Sequence, residues 1–232
     1  LVDAGYVPQR VSGTSAGALV GAVLAAAVQH GPVDGVQLSD LAMAIDYREF
    51  LDQGPIERIP LAGPAWGVLT GSGIYRGDNL HAWVTARLAE YGVSTFADLA
   101  IRDRSLPPEQ RYRLVVTVAD VSLGQLVRLP WDYRRLYGLN PDEQLVADAV
   151  RASTAIPFFY RPATLTSADG RESTLVDGGL LSNFPIESLD RTDGAKPRWP
   201  TFGVTLLPDL PAQNAQIIPA LACGIEMAIV IG

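Results

Sequence analysis

Gly13-Thr14-Ser15-Ala16-Gly17 is a G-x-S-x-G, and the apolar run Ala18-Leu19-Val20-Gly21-Ala22-Val23-Leu24-Ala25-Ala26-Ala27-Val28 follows it directly. A serine between two glycines at a strand-to-helix turn sits on a sharp bend, with its Oγ exposed and helix N–H groups nearby. Ser12 to Gly17 are all small, and glycine at 17 and 21 lets the following helix approach a neighbouring strand. The same residues also read as a helix start that merely packs tightly, so the pentapeptide needs support from the rest of the chain.

Working outward, strand-like and helix-like stretches alternate. Arg10-Val11-Ser12 is a short strand leading into the Ser15 turn, and Ala16 to His30 is a helix stopped by Gly31-Pro32. Leu38 to Phe50 reads as a second helix with Ser39 at its N-cap. Residues 51–77 are rich in Gly and Pro, include Trp66, and read as loop. Asp78 is expected to cap a helix through Tyr91, with Leu80, Trp83, Val84 and Leu88 at helical spacing and Gly92 at its end. Phe96 to Leu99 is a short helical turn. Tyr112 to Asp120 is a β-branched run of buried type, paired with Gln125 to Leu129. Gln144 to Ala152 is a helix. Ser173 to Asp177 is a strand running straight into Gly178-Gly179, and Thr201 to Leu207 is a late buried strand. Strands separated by helices predict a layered α/β fold with a mainly parallel sheet, and sites in such sheets form at the carboxyl ends of strands. Ser15 and Asp177 each stand where a strand ends.

The 232 residues suit one domain, and 48 % hydrophobic with 19 % charged residues supplies a core. A net charge of −7 opposes nucleic-acid binding, which needs a basic face. It also opposes simple docking on an anionic membrane; Arg134-Arg135 reads as ordinary solvated charge. The single cysteine, Cys223, excludes an internal disulfide and a Cys-based metal site, and His30 and His81 lack metal-ligand spacing. No metal or other cofactor is expected. The run at 16–28 is too short to span a bilayer and Ile217–Gly232 carries Glu226, so neither a signal peptide nor a transmembrane helix is expected. The expected location is cytoplasmic or peripheral to a membrane.

A serine hydroxyl needs a partner to take its proton. His30 falls roughly 20 Å along the helix that starts at Ser15, and His81 reads as a surface or half-buried residue beside Trp83. A carboxylate in direct contact with Oγ can serve instead, and Asp177, between an apolar strand and two glycines, is the best candidate. Asp177-Gly178 is also a common turn dipeptide, and on the residues alone both readings stand.

Taken together the motifs resemble the patatin-like phospholipase family. Ser12 to Leu19 looks like its nucleophile turn and Val150 to Phe159 like the helix and loop ahead of its aspartate. Leu175-Val176-Asp177-Gly178-Gly179-Leu180-Leu181-Ser182-Asn183-Phe184-Pro185 resembles the aspartate segment, and Gly73 to Asp78 a shorter signature between them. The resemblance implies a three-layer α/β fold, a Ser15 nucleophile and an Asp177 general base. Gly13, Gly17, Gly178 and Gly179 would support the two motifs. It also implies hydrolysis of lipid acyl esters through an acyl-enzyme; separately, the N-terminus of the helix that starts at Ala16 favours negative charge, which makes the Ala16 N–H a candidate oxyanion donor. Lipid or another acyl ester is the expected partner, with peripheral membrane contact. Residues 51–77 and 130–140, with Trp66, Trp131, Tyr133 and Tyr137, read either as lining for an acyl chain or as ordinary packing. Phe158, Phe159 and Leu180 are expected to bury Asp177 in part, with Gly178 and Gly179 N–H groups offsetting the desolvation.

The family's Gly-rich oxyanion loop has no counterpart between Leu1 and Gly13. Leu1 to Tyr6 reads as a helix tail ended by Gly5, and the other end stops inside an apolar run. The expectation is a single catalytic domain over residues 1–232, lacking its first strand and oxyanion loop and cut at its C-terminus. The alternatives are a thioesterase or general carboxylesterase on the same dyad, or a non-catalytic lipid-binding relative.

Overall fold

The computed structural model describes residues 1–31, 33–36, 39, 47–52, 73–191, 194, 196, 199–205 and 228–231. Its strands are β1 (Val11–Thr14), β2 (Leu114–Asp120), β3 (Gln125–Leu129), β4 (Ala163–Thr166), β5 (Glu172–Asp177), β6 (Phe202–Thr205) and β7 (Ala228–Ile231). Its α-helices are α1 (Ala16–Ala27), α2 (Asp78–Glu90), α3 (Asp132–Tyr137) and α4 (Val146–Ser153).

All seven strands join one sheet in the order β4-β5-β2-β1-β7-β6, with β3 also on β2. The expected parallel pairing holds at the centre, where β1 runs alongside β2. The other pairs among the described strands are antiparallel, so the sheet is mixed. Helices flank it, as an α/β fold requires.

The centre is apolar because its residues leave no alternative. Every residue of β2 is buried, and its β-branched side chains suit a strand covered on both faces. Helix α1 is apolar all round and ten of its twelve residues are buried, as expected of a core helix. A side chain at Gly21 would place its Cβ 3.1 Å from Val11 Cγ1, so the small residue sets how closely α1 lies on β1. Helix α4 packs on β2 and β5, and α2 packs on α4 and α1. Leu80, Val84 and Leu88 of α2 are buried, in the stripe their spacing predicts.

Several expectations change in detail. The first long helix ends at Ala27 and tightens into a 3-10 turn at Val28–His30. Asp78 is the first residue of α2 and not its cap; Gly77 takes that place with φ 80°. The capping carboxylate comes from Asp52, which accepts the N–H groups of Gly77 at 2.7 Å and Asn79 at 3.0 Å. The late strand β6 is largely exposed rather than buried, with Val204 41 % accessible. Among the described residues it stands at the end of the strand order, with a neighbour on one side. The helix expected over 38–50 falls mostly outside the described residues, and its end, Tyr47–Phe50, is a 3-10 turn. Most of the 51–77 loop with Trp66, and Cys223 and Glu226 of the final run, also lie outside them.

Tyr133 and Tyr137 prove to be core residues, each 3 % exposed, and Tyr137 donates to Asp120 Oδ2 at 2.7 Å. Trp131 is partly buried beneath the guanidinium of Arg10. The packing reading of 130–140 therefore holds. Arg135 pairs with Asp132 and Arg134 donates to Asn140, which disposes of a free basic patch there.

Candidate active site

Three strands meet at one point on β2. Strand β3 occupies one edge of β2 along Val116–Asp120. The other edge is shared: β1 pairs with it up to Thr14↔Thr117, and β5 from Asp120↔Leu175 to Val118↔Asp177. Because β5 runs opposite to β1, the two strands arrive end to end. The residue that follows Thr14 and the residue that closes β5 are thereby forced together, although they lie 162 positions apart.

Ser15 leaves β1 with φ 55° and ψ −125° and becomes the N-cap of α1. Positive φ is rare and strained for a residue with a side chain and persists only where its surroundings hold it. Its carbonyl accepts the N–H groups of Ala18 and Leu19. Its N–H donates to Ser153 Oγ at 2.9 Å, and that hydroxyl donates to the Thr117 carbonyl at 2.7 Å. Gly13 is required one turn earlier: a Cβ there would lie 2.3 Å from the Gly17 carbonyl oxygen. Ser15 is 5 % exposed and donates its Oγ–H to Asp177 Oδ2 at 2.6 Å.

Asp177 is equally buried, and its second oxygen accepts the Gly179 N–H at 2.7 Å. Burial raises its carboxyl well above the ordinary range, to about 6, while the bonds from Ser15 and Gly179 pull it back down. Its own N–H donates to the Ala155 carbonyl. Gly178 contributes close approach, since a Cβ there would sit 2.4 Å from the Thr117 carbonyl oxygen. Of the hydrogen bonds expected to offset the desolvation of Asp177, the one from the Gly179 N–H is present, while Phe158 and Leu180 keep most of their own surface in solvent. These two side chains are 60 % and 59 % exposed, and Phe159 is 36 % exposed.

The segments of the resemblance also pack together. Tyr75 donates its N–H to the Phe159 carbonyl at 2.8 Å and accepts the Arg161 N–H at 2.9 Å. Arg151, on α4 two residues before Ser153, donates to the carbonyls of Arg76 and Arg161. Its guanidinium lies where a side chain at Gly77 would fall. A hydroxyl chain closes the site from below: Thr14 Oγ1 bonds Thr117 Oγ1 and also donates to the Ser182 carbonyl at 3.2 Å.

Both histidines are occupied elsewhere. His30 bonds the Tyr91 carbonyl and His81 bonds Asp148. A cavity of about 630 Å³ lined by Arg10, Arg102, Arg113, Asp190 and Trp199 contains neither Ser15 nor Asp177. Sequence reasoning passed over Ser153, Thr117 and Arg151. Ser153 had one signal: with Val146, Ala149 and Val150 it completes a buried stripe at helical spacing, and a hydroxyl on such a stripe needs a partner. Among the described residues no helix is long and apolar enough to cross a membrane.

Comparisons with known proteins bear on the family of the chain. The chain is 35 % identical over 209 residues to the uncharacterized protein YqhO of Bacillus subtilis (strain 168), covering 90 % of this chain and 64 % of that protein. The chain thus spans somewhat less than two thirds of the relative's length. A family model described as patatin-like phospholipase matches residues 1–190, the span that holds both strand ends and every segment of the site. The chain belongs to the patatin-like phospholipase family.

Proposed function

We propose that this chain hydrolyses acyl esters of lipids, of phospholipase A or lysophospholipase type, with Ser15 as nucleophile and Asp177 as general base. The observation that carries the reading is the 2.6 Å bond from Ser15 Oγ to Asp177 Oδ2, with both imidazoles engaged elsewhere. Asp177 takes the hydroxyl proton as Oγ forms a bond to the acyl carbonyl carbon. The tetrahedral intermediate carries its negative charge at the N-terminus of α1, where the N–H of Ala16 and the helix dipole favour an anion. Collapse breaks the ester bond, and the leaving alkoxide recovers the proton from Asp177. Water then repeats the sequence on the acyl-enzyme and frees Ser15.

The surroundings favour an apolar acyl group. Leu180 and Leu181, just past Asp177, are 59 % and 55 % exposed. Two adjacent exposed leucines directly after the aspartate suit contact with an apolar ligand or a lipid surface, which supports a lipid substrate met at a membrane periphery.

Labelling by a fluorophosphonate tests the nucleophile. Wild-type protein should be labelled and Ser15→Ala should not; labelling that survives the substitution removes the reading. Turnover of a phospholipid in preference to an acyl thioester supports the lipid assignment, and the reverse preference transfers the same dyad to a thioesterase.

A further inference from the structure

Ser153 closes α4 and is fully buried. The two groups it bridges, the Ser15 N–H and the Thr117 carbonyl, are the pair that the β1–β2 ladder would join next. In the parallel register Val11↔Leu114, the Val11 N–H donates to the Arg113 carbonyl. Parallel bonds recur every second residue. The successive donors are therefore Val11, Gly13 and Ser15, and the acceptors Arg113, Val115 and Thr117. At the third rung a hydroxyl stands between donor and acceptor. The ladder is opened by one side chain at the residue whose φ is 55°.

This insertion answers two demands at once. The bend at Ser15 takes its N–H out of reach of β2 and would leave two buried polar backbone groups unpaired; the Ser153 hydroxyl, donor and acceptor together, satisfies both. Direct closure of the same rung would instead draw Ser15 back into an extended strand and swing Oγ away from Asp177.

We propose that Ser153 is the positioning residue of the nucleophile: its hydroxyl, inserted into the β1–β2 ladder, holds the Ser15 backbone in the bent conformation that aims Oγ at Asp177. The proposal rests on the Ser15–Asp177 reading above. It also assigns the oxyanion donor of this turn to Ala16, because the Ser15 N–H is committed to Ser153.

The test is Ser153→Ala in the full-length protein, read by fluorophosphonate labelling and by hydrolysis of a short-chain p-nitrophenyl ester. The expected result is a fall in kcat of about 10²-fold with KM little changed, as for a displaced reacting group. The acid limb should also move to higher pH, because Asp177 loses the Ser15 hydrogen bond that lowers its pKa. A purely structural role would lower the melting temperature and leave the limb in place. Wild-type labelling and an unmoved limb overturn the proposal. If the alanine variant does not fold, Ser153→Cys keeps the volume and supplies a weak donor; slower labelling at unchanged KM supports the proposal and wild-type labelling overturns it. Ser15→Ala separates the two claims. An active Ser15→Ala removes the dyad and this proposal with it, whereas a dead Ser15→Ala beside an unaffected Ser153→Ala removes the positioning role alone.

Discussion

As the proposed general base, Asp177 is both buried and in need of its charge, and burial lifts its pKa to about 6. The proposed mechanism uses the carboxylate, so kcat/KM should rise through an acid limb near pH 6 and level off above it. Stability moves the other way. The unfolded carboxyl titrates near 4 and the folded one near 6, so the folded state holds the proton more tightly. Its stability contribution is full below about pH 4 and is lost as pH rises to about 6. The shift corresponds to about 3 kcal/mol once the group is ionised. Asp177→Asn should therefore be inactive yet more stable than wild type at neutral pH, with the gain shrinking toward pH 4. Thermal melts at the two pH values check this, and a variant less stable than wild type at neutral pH would contradict it.

The site is made by two strand ends rather than by a loop, and glycines permit the closeness. At Gly13 the missing side chain admits the Gly17 carbonyl, and at Gly178 it admits the carbonyl of Thr117. Both obstacles are backbone and neither can rotate aside. Gly13→Ala should cost about 1–3 kcal/mol, the usual range for overpacking. It should also reduce fluorophosphonate labelling more than any loss of folded protein explains, because the collision falls on the turn that carries Ser15. Melting temperature and labelling rate, measured on one preparation, separate the two effects. Each motif was legible as a local pattern: small residues ahead of an apolar run, and an apolar strand ahead of two glycines. The exposure of β6 was not legible, since its apolar residues say that it is a strand and not that it stands at the end of the sheet.

At the scale of the molecule, the proposed dyad is followed in the chain by the exposed Leu180 and Leu181, on a protein whose net charge is −7. The proposed contact with a lipid surface then draws on burial of apolar area rather than on charge. Replacing Leu180 and Leu181 together by Ser should lower hydrolysis of phospholipid in vesicles by about tenfold or more, from the transfer free energy of two side chains. Hydrolysis of a soluble short-chain ester should be nearly unchanged, because both residues are exposed and their replacement leaves the core intact. Equal losses on both substrates would place these residues in the acyl site itself and not on a membrane-facing rim.

The sequence by itself determined the α/β class, the serine turn and its helix, the aspartate strand, and the distance of His30 from Ser15. These follow from residue patterns within a few turns or one strand, where spacing and side-chain chemistry act locally. The tertiary structure decided what brings them together. Strands β1 and β5 converge on one edge of β2, Ser153 enters the ladder from α4, and Asp52 caps α2 from outside. Each is a contact between segments far apart in the chain. Such contacts are selected by strand order and packing of the whole sheet, and no local period encodes them.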